Sequence, residues 1–260
     1  MKFNEDFSDY CTDSVLDRVY LFLEHLPGAG KFLPDYFSEP LLVSQVFKPS
    51  KRGAPKTTAG GATRGSCTQD QTLTPLIPHD RLSLTLSERP TFFWSAPQTS
   101  TGAAQFLLMS DNDTQIVYET ILTLPSASGI VEFTLPAQAP ALEVGKQYHW
   151  YLTIACSPDD FDNGMRVEGW VERANPDRTL TQALKMAEPD QHSRLYAEAG
   201  IWHEALSAVA KTRRDKPADL NAMDNWKRLL ESVGLNTVVA QPLVAPPLTE
   251  QAVKEVSSIR

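Results

Sequence analysis

No stretch of these 260 residues is apolar for long enough to cross a bilayer, which takes about 20 residues. Cysteine is scarce. Cys11, Cys67 and Cys156 include no CxxC and no Cys/His pair at zinc-ligand spacing, which excludes a zinc ribbon and a dithiol redox motif. GxSxG, HExxH and a GxGxxG after a strand are all missing, so no familiar catalytic set is written in the chain. The five histidines, His25, His79, His149, His192 and His203, are scattered over four regions. Positive charge is short as well. The formal net charge is -8, which argues against a nucleic-acid footprint. Neither a catalytic residue nor a cofactor or metal centre is expected on these grounds.

Two stretches imitate a phosphate loop and fail. In Leu26-Pro-Gly-Ala-Gly-Lys31 the first required Gly is His25 and the Ser or Thr is Phe32. Gly60-Gly-Ala-Thr-Arg-Gly65-Ser66 lacks the Lys and the apolar strand before it.

What charge there is divides the chain. Residues 1–40 carry 3 basic and 8 acidic side chains, 41–78 carry 5 and 1, 79–175 carry 5 and 12, 176–236 carry 9 and 9, and 237–260 carry 2 and 2. The expected organisation follows these shifts: an acidic N-terminal segment at 1–40, a basic Gly/Pro-rich linker at 41–78, a β-domain at 79–175, a helical hairpin at 176–236 and a disordered tail at 237–260. In the first segment Val15, Leu16, Val19, Tyr20, Leu23 and Leu26 share one helical face, ended by Pro27-Gly28. The run Asn4 to Asp9 is acidic where a secretory signal needs a basic start, which predicts no export by that route.

The β-domain is organised around Arg89-Pro-Thr-Phe-Phe-Trp-Ser-Ala-Pro97 and Leu142-Glu-Val-Gly-Lys-Gln-Tyr-His-Trp150. The first reads as a short aromatic strand between prolines. The second has the Leu, Gly and Tyr spacing of a tyrosine corner, in which the Tyr148 hydroxyl bonds back to the corner's backbone. Alternation predicts strands over 81–86, 91–95, 105–110, 115–122, 129–135, 148–156 and 165–172. Asp111-Asn-Asp113 supplies one turn. Seven short strands at this spacing predict an immunoglobulin-like or fibronectin-type antiparallel β-sandwich. Phe92, Trp94, Phe106, Leu108, Phe133, Tyr148, Trp150 and Leu152 are its expected core, with Phe93 facing the other way. His149, opposite Tyr148 and Trp150, and Glu168 and Glu172 are expected to face solvent.

After Asn175-Pro176 the pattern becomes helical, over 179–187, 191–211 and 217–233. Leu195 to Ala205 resembles the middle of a tetratricopeptide repeat, with Gly200 at the turn and Trp202 and Ala205 at its packing positions. Such a hairpin has more large apolar residues than it can bury on itself, so it is expected to dock on the sandwich through one face and to offer the other to a partner protein, with Tyr196, Trp202 and Trp226 as contacts; the competing reading is that the sandwich covers them all.

Taken in order, Gly60-Gly61, Arg64-Gly-Ser-Cys67, Pro90-Thr-Phe-Phe-Trp94, Leu142 with Gly145 and Tyr148-His-Trp150, Cys156, Val167-Glu-Gly-Trp170 and Gly200-Ile-Trp202 with Ala205-Leu206 are distinctive. On these residues, roughly 41–236 resembles the domain-of-unknown-function 928 family. The resemblance implies a mainly cyanobacterial group with no assigned activity, whose members generally look exported. It points to the cell envelope, whereas the acidic N-terminus leaves the cytoplasm open.

Cys67 stands just before the sandwich and Cys156 ends its most aromatic strand. A Cys67–Cys156 disulfide is expected in an oxidising compartment and two buried thiols otherwise, with Cys11 left over. Asp159, Asp160, Asp162 and Asn163 before Gly164 are the one oxygen-rich cluster, a calcium candidate that lacks a closing Glu. The expected function is a non-enzymatic protein-interaction module. The alternative is a cell-envelope hydrolase or carbohydrate-binding domain with a site built from loops. Oligomeric state is not written in the sequence.

Overall fold

The computed structural model describes residues 46–49, 72–79, 82–110, 113–157, 160–244 and 253–254, all within one compact unit, Ser44–Arg260. The expected helix at 14–26, Gly60–Ser66 and Cys67 lie outside the described residues.

The described strands form two sheets. The smaller joins β1 (Thr74–Pro75), β3 (Thr91–Ala96) and β6 (Gly129–Thr134) in the order β1-β3-β6. The larger runs β2 (Ser83–Thr85), β8 (Met165–Arg173), β7 (Gln147–Ile154), β4 (Ala103–Ser110), β5 (Ile116–Thr123), with a two-residue strand β9 (Val253–Lys254) on the far side of β5. All pairings are antiparallel except β2 with β8. Alternation puts one face of each sheet against the other. Phe92, Trp94 and Phe133 of the small sheet meet Phe106, Trp150 and Leu152 of the large one, all at most 1% exposed. Phe106 lies 5.0 Å from Phe133 and 5.1 Å from Phe92, and Phe92 lies 5.7 Å from Trp150, ring centre to ring centre. Such pairs add about 0.5–1.5 kcal/mol each beyond their buried area.

At the corner leading into β7 the Glu143 amide donates to the Tyr148 hydroxyl at 3.0 Å, and the Gly145 amide donates to the Arg173 carbonyl at 2.7 Å. Gly145 supplies the positive φ of 79° that the turn needs.

Four helices form the third layer: α1 (Arg178–Met186), α2 (His192–Glu198), α3 (Trp202–Asp215) and α4 (Leu220–Glu231). Asp177 caps α1 by accepting from the Leu180 amide, and Asp219 caps α4 by accepting from Asn221. Gly200, at φ 76°, reverses the chain between α2 and α3. The helices cover the outer face of the small sheet. Phe93 and Ile130 join Trp202, Leu206, Val209, Trp226 and Leu230 in a second core. Phe93, on the face opposite Trp94, is therefore buried too, at 3% exposure. Glu132 on the same face is buried and ion-pairs with Arg214 of α3. Burial raises its carboxyl above the ordinary range, and Arg214 opposes that rise.

Three expectations need correction. Within the expected linker, Phe47 is buried, with its ring 5.0 Å from that of Trp202, and the Lys48 amide donates to the Ala197 carbonyl. Residues 237–244 belong to no disordered tail: Val238 is buried, the Ile130 amide donates to the Pro242 carbonyl, and Val244 donates to the Ile130 carbonyl. The segment adds to the free edge of β6, and Val and Pro content alone did not reveal that edge. His149 and Glu172 do not face solvent. Each is 3% exposed, because the outer face of the large sheet is partly covered.

Candidate functional site

The side chains of the large sheet that point away from the sandwich core make three cross-strand rows. From β5 through β4 and β7 to β8 they read Ile121, Gln105, Thr153, Arg166; then Glu119, Leu107, Tyr151, Glu168; then Ile116, Met109, His149, Trp170. The β8 end is closed. Leu82 just before β2, Leu84 of β2, Leu180 of α1 and Ile201 pack with Trp170. The β5 and β4 end is open. Ile116 is 54% exposed, and Leu107, Met109, Ile121 and Tyr151 are half-buried.

Tyr151 stands where the two ends meet, and its neighbours hold it. The His149 ring lies 4.3 Å from the Tyr151 ring and stacks on Trp170 at 4.2 Å. His149 Nδ1 is 2.9 and 3.0 Å from the Asp113 carboxylate oxygens and 2.8 Å from the Tyr151 hydroxyl. A proton on Nδ1, donated to Asp113, leaves the buried Nε2 as an unpaired lone pair rather than an unpaired N–H, the cheaper arrangement. Tyr151 also donates to Asp113 at 3.2 Å. Burial, and then the carboxylates of Asp113 and Glu168, push its phenol well above the ordinary tyrosine range. The phenol thus stays protonated and is a poor nucleophile. Asp113 reaches the site from a turn in which its own φ is 54°, a conformation Asp tolerates. Arg166 lies over the Tyr151 ring at 5.8 Å.

A second polar cluster is sealed inside. His203 of α3 bridges the two sheets: Nδ1 lies 2.9 Å from the Thr91 carbonyl and Nε2 3.0 Å from the Ser83 hydroxyl. Glu204 accepts from the Thr85 hydroxyl and from the amides of Leu86 and Ser87. With His203 3% exposed, the Ser83–His203 pair holds layers together and meets no substrate.

The residues expected to contact a partner are mostly inside. Trp202 and Trp226 are at most 1% exposed, with their indole N–H groups donating to the carbonyls of Leu76 and Val239. Tyr196 is half-buried against both helical clusters. Large aromatics at helical spacing marked the interlayer core, because the small sheet supplies a surface that a hairpin alone lacks. On the helices, Met186, Leu220 and Met223 are the exposed large apolar residues. In the calcium candidate, Asp159 lies outside the described residues, and the Asp160 carboxylate turns inward to accept from the amide and side chain of Asn163. These bonds hold its pKa below the ordinary value. Among the described residues no three His, Cys, Asp or Glu gather as metal ligands. A shallow cleft of about 380 Å³ beside the corner is lined by Ser110, Gln115, Glu143 and Lys146, the last two ion-paired.

The profile of the Domain of Unknown Function (DUF928) matches residues 59–243. The chain belongs to that family. The DUF928 match spans both sheets from β1 to β8, all four helices and the segment that docks on β6, so the three layers are one family unit. No curated protein matches the chain. Sequence reading missed the outer face of the large sheet. The signal was Gln105-Phe-Leu-Leu-Met109, where apolar residues fall on both faces of β4 rather than one.

Proposed function

We propose that this DUF928 chain is a non-enzymatic protein-interaction module that docks its partner on the outer face of the large sheet, around Tyr151. The observation that carries the reading is the open end of that face, where Ile116, Leu107, Met109 and Ile121 stay accessible on adjacent strands beside an aromatic ring already fixed in place. A rigid aromatic anchor loses little freedom on binding, which favours affinity. The test is photo-cross-linking in extracts of the native organism, with benzoylphenylalanine at position 107 or at position 220. Adducts from 107 that Ile121→Glu abolishes support the reading. Adducts from 220 alone would move the docking surface to α4.

The scaffold is read as an immunoglobulin-type sandwich. Support comes from the split of β1-β3-β6 against β2-β8-β7-β4-β5, from β2 running parallel to β8 at the edge, and from the Tyr148 corner. The α2–α3 turn at Gly200, with Ala205 fully buried, supports a tetratricopeptide-like pairing. A Cys67–Cys156 disulfide belongs to the same reading, and with it an oxidising compartment. Cys156 is half-buried two residues after β7, and neither other cysteine is among the described residues. Non-reducing peptide mapping should return a peptide pair linking 67 to 156. A pair containing Cys11 would reject that assignment.

A further inference from the structure

The row Glu119, Leu107, Tyr151, Glu168 has an apolar middle and a carboxylate at each end. Neighbouring strands are about 4.8 Å apart, so the carboxylates of β5 and β8 stand roughly 14 Å apart across four strands. Glu119 is exposed and Glu168 half-exposed, so both reach a docked partner. Asp113 adds a third carboxylate at the rim, Arg166 is the single cation that β5, β4, β7 and β8 bring to the three rows, and the β9 register places Lys254 opposite Ile121 at the β5 edge.

This pattern opposes self-pairing. A two-fold axis lying in the interface, parallel to the strands and midway between Leu107 and Tyr151, would lay Glu119 of each copy on Glu168 of the other. Like charges brought together at an interface work against it. An apolar segment with acidic ends meets the same repulsion, and an uncharged one leaves both carboxylates desolvated without a counter-charge. A segment with a cation at each end satisfies them both.

Resting on the docking face proposed above, we infer that the partner presents an apolar protein segment flanked at both ends by Lys or Arg, spaced to meet Glu119 and Glu168. In a helix the two cations must also share one face, so the spacing that fits is about eleven residues, roughly 16 Å at 1.5 Å each, with the flexible side chains making up the difference.

The test uses the full chain, labelled with ¹⁵N, and two synthetic helical peptides. One carries leucines between lysines about eleven residues apart, on one helical face, and the other has glutamates in place of the lysines. The lysine peptide should shift the amides around Leu107, Glu119, Tyr151 and Glu168, and the glutamate peptide should leave them unmoved. In the double variant Glu119→Lys, Glu168→Lys the preference should reverse, with at least a tenfold change in the ratio of the two Kd values. Both sites are on the surface, so an unchanged amide spectrum elsewhere reports an intact fold. If both peptides shift the face alike, the charge inference falls and the docking face stands. If neither peptide shifts it, both fall. Concentration-dependent shifts at the same amides without peptide would identify a second copy as the occupant and overturn the inference.

Discussion

His203 ties strands of two different sheets together through one ring, and that makes it the residue most exposed to pH. Burial lowers its pKa from the ordinary 6.5, and this outweighs the Thr91 carbonyl and Glu204, which act the other way. Glu204 lies on its own helix. Tyr196 approaches from α2 with its phenol raised by burial and by Glu204, and β2 and the β3 segment beside it add no ionisable group. A histidine with a depressed folded pKa is neutral in the folded chain, while the unfolded chain takes up its proton as pH falls below about 6.5. Its contribution is therefore full above that pH and lost progressively below it. Urea midpoints at pH 7.5 and 5.0 should fall further for the parent than for His203→Gln. Equal falls would place the acid sensitivity elsewhere. Gly169 sits against the core with no room for a side chain: a Cβ there would come 2.6 Å from the Trp150 ring and 2.7 Å from Ile77. Overpacking of this kind costs about 1–3 kcal/mol, so Gly169→Ala should lower the denaturant midpoint accordingly. Neither effect is legible in sequence. The inward face of β7 was readable from Tyr148, Trp150, Leu152 and Ile154 in alternation, but not what crosses over Gly169.

Elements were legible where one physical period held over six residues or more. β3 to β8 sit within two residues of the boundaries that alternation gives, and α1 begins at Arg178, next to the expected Thr179. The tyrosine corner was readable because a hydroxyl, a positive-φ glycine and a buried leucine must occur at fixed spacing. Leu142 is indeed fully buried there. Tyr148→Phe removes only the acceptor of the Glu143 amide. A typical hydrogen bond contributes about 0.5–1.5 kcal/mol, so the variant should lose an amount in that range with its core intact. A loss of several kcal/mol by calorimetry would mean that the ring had moved too. What alternation missed is β1, a two-residue strand containing Pro75, and the segment at 242–244 that bridges to Ile130. Both are edge additions, held by backbone bonds that leave almost no side-chain signature.

The helices and the β-domain read as successive modules, because each has its own hydrophobic period. In space they share a sheet. The small sheet has large apolar residues on both faces, Phe92 and Trp94 toward the large sheet, Phe93 and Ile130 toward α3 and α4. Two sequence signs pointed to this third layer: the excess of large apolar residues on the helices, and Phe93, an aromatic on the face that a two-layer sandwich would leave wet. Removing residues 176–244 would uncover Phe93, Ile130 and Leu76 and, with them, the Glu132 carboxylate that Arg214 now pairs. Fully burying one large apolar side chain contributes about 1.5–3 kcal/mol, and domain stability is only about 5–15 kcal/mol. Three such losses take most of that margin. A chain ending at residue 175 should therefore be recovered as aggregate, or as soluble protein without a cooperative melt. Cleaving a protease site placed after Ala174 in the intact protein, then adding urea, gives the complementary measurement. The two pieces should stay together through gel filtration at neutral pH and separate only as the fold melts. A soluble 1–175 fragment with a sharp transition near that of the parent would show that the two β-layers stand alone, with the helices only resting on them.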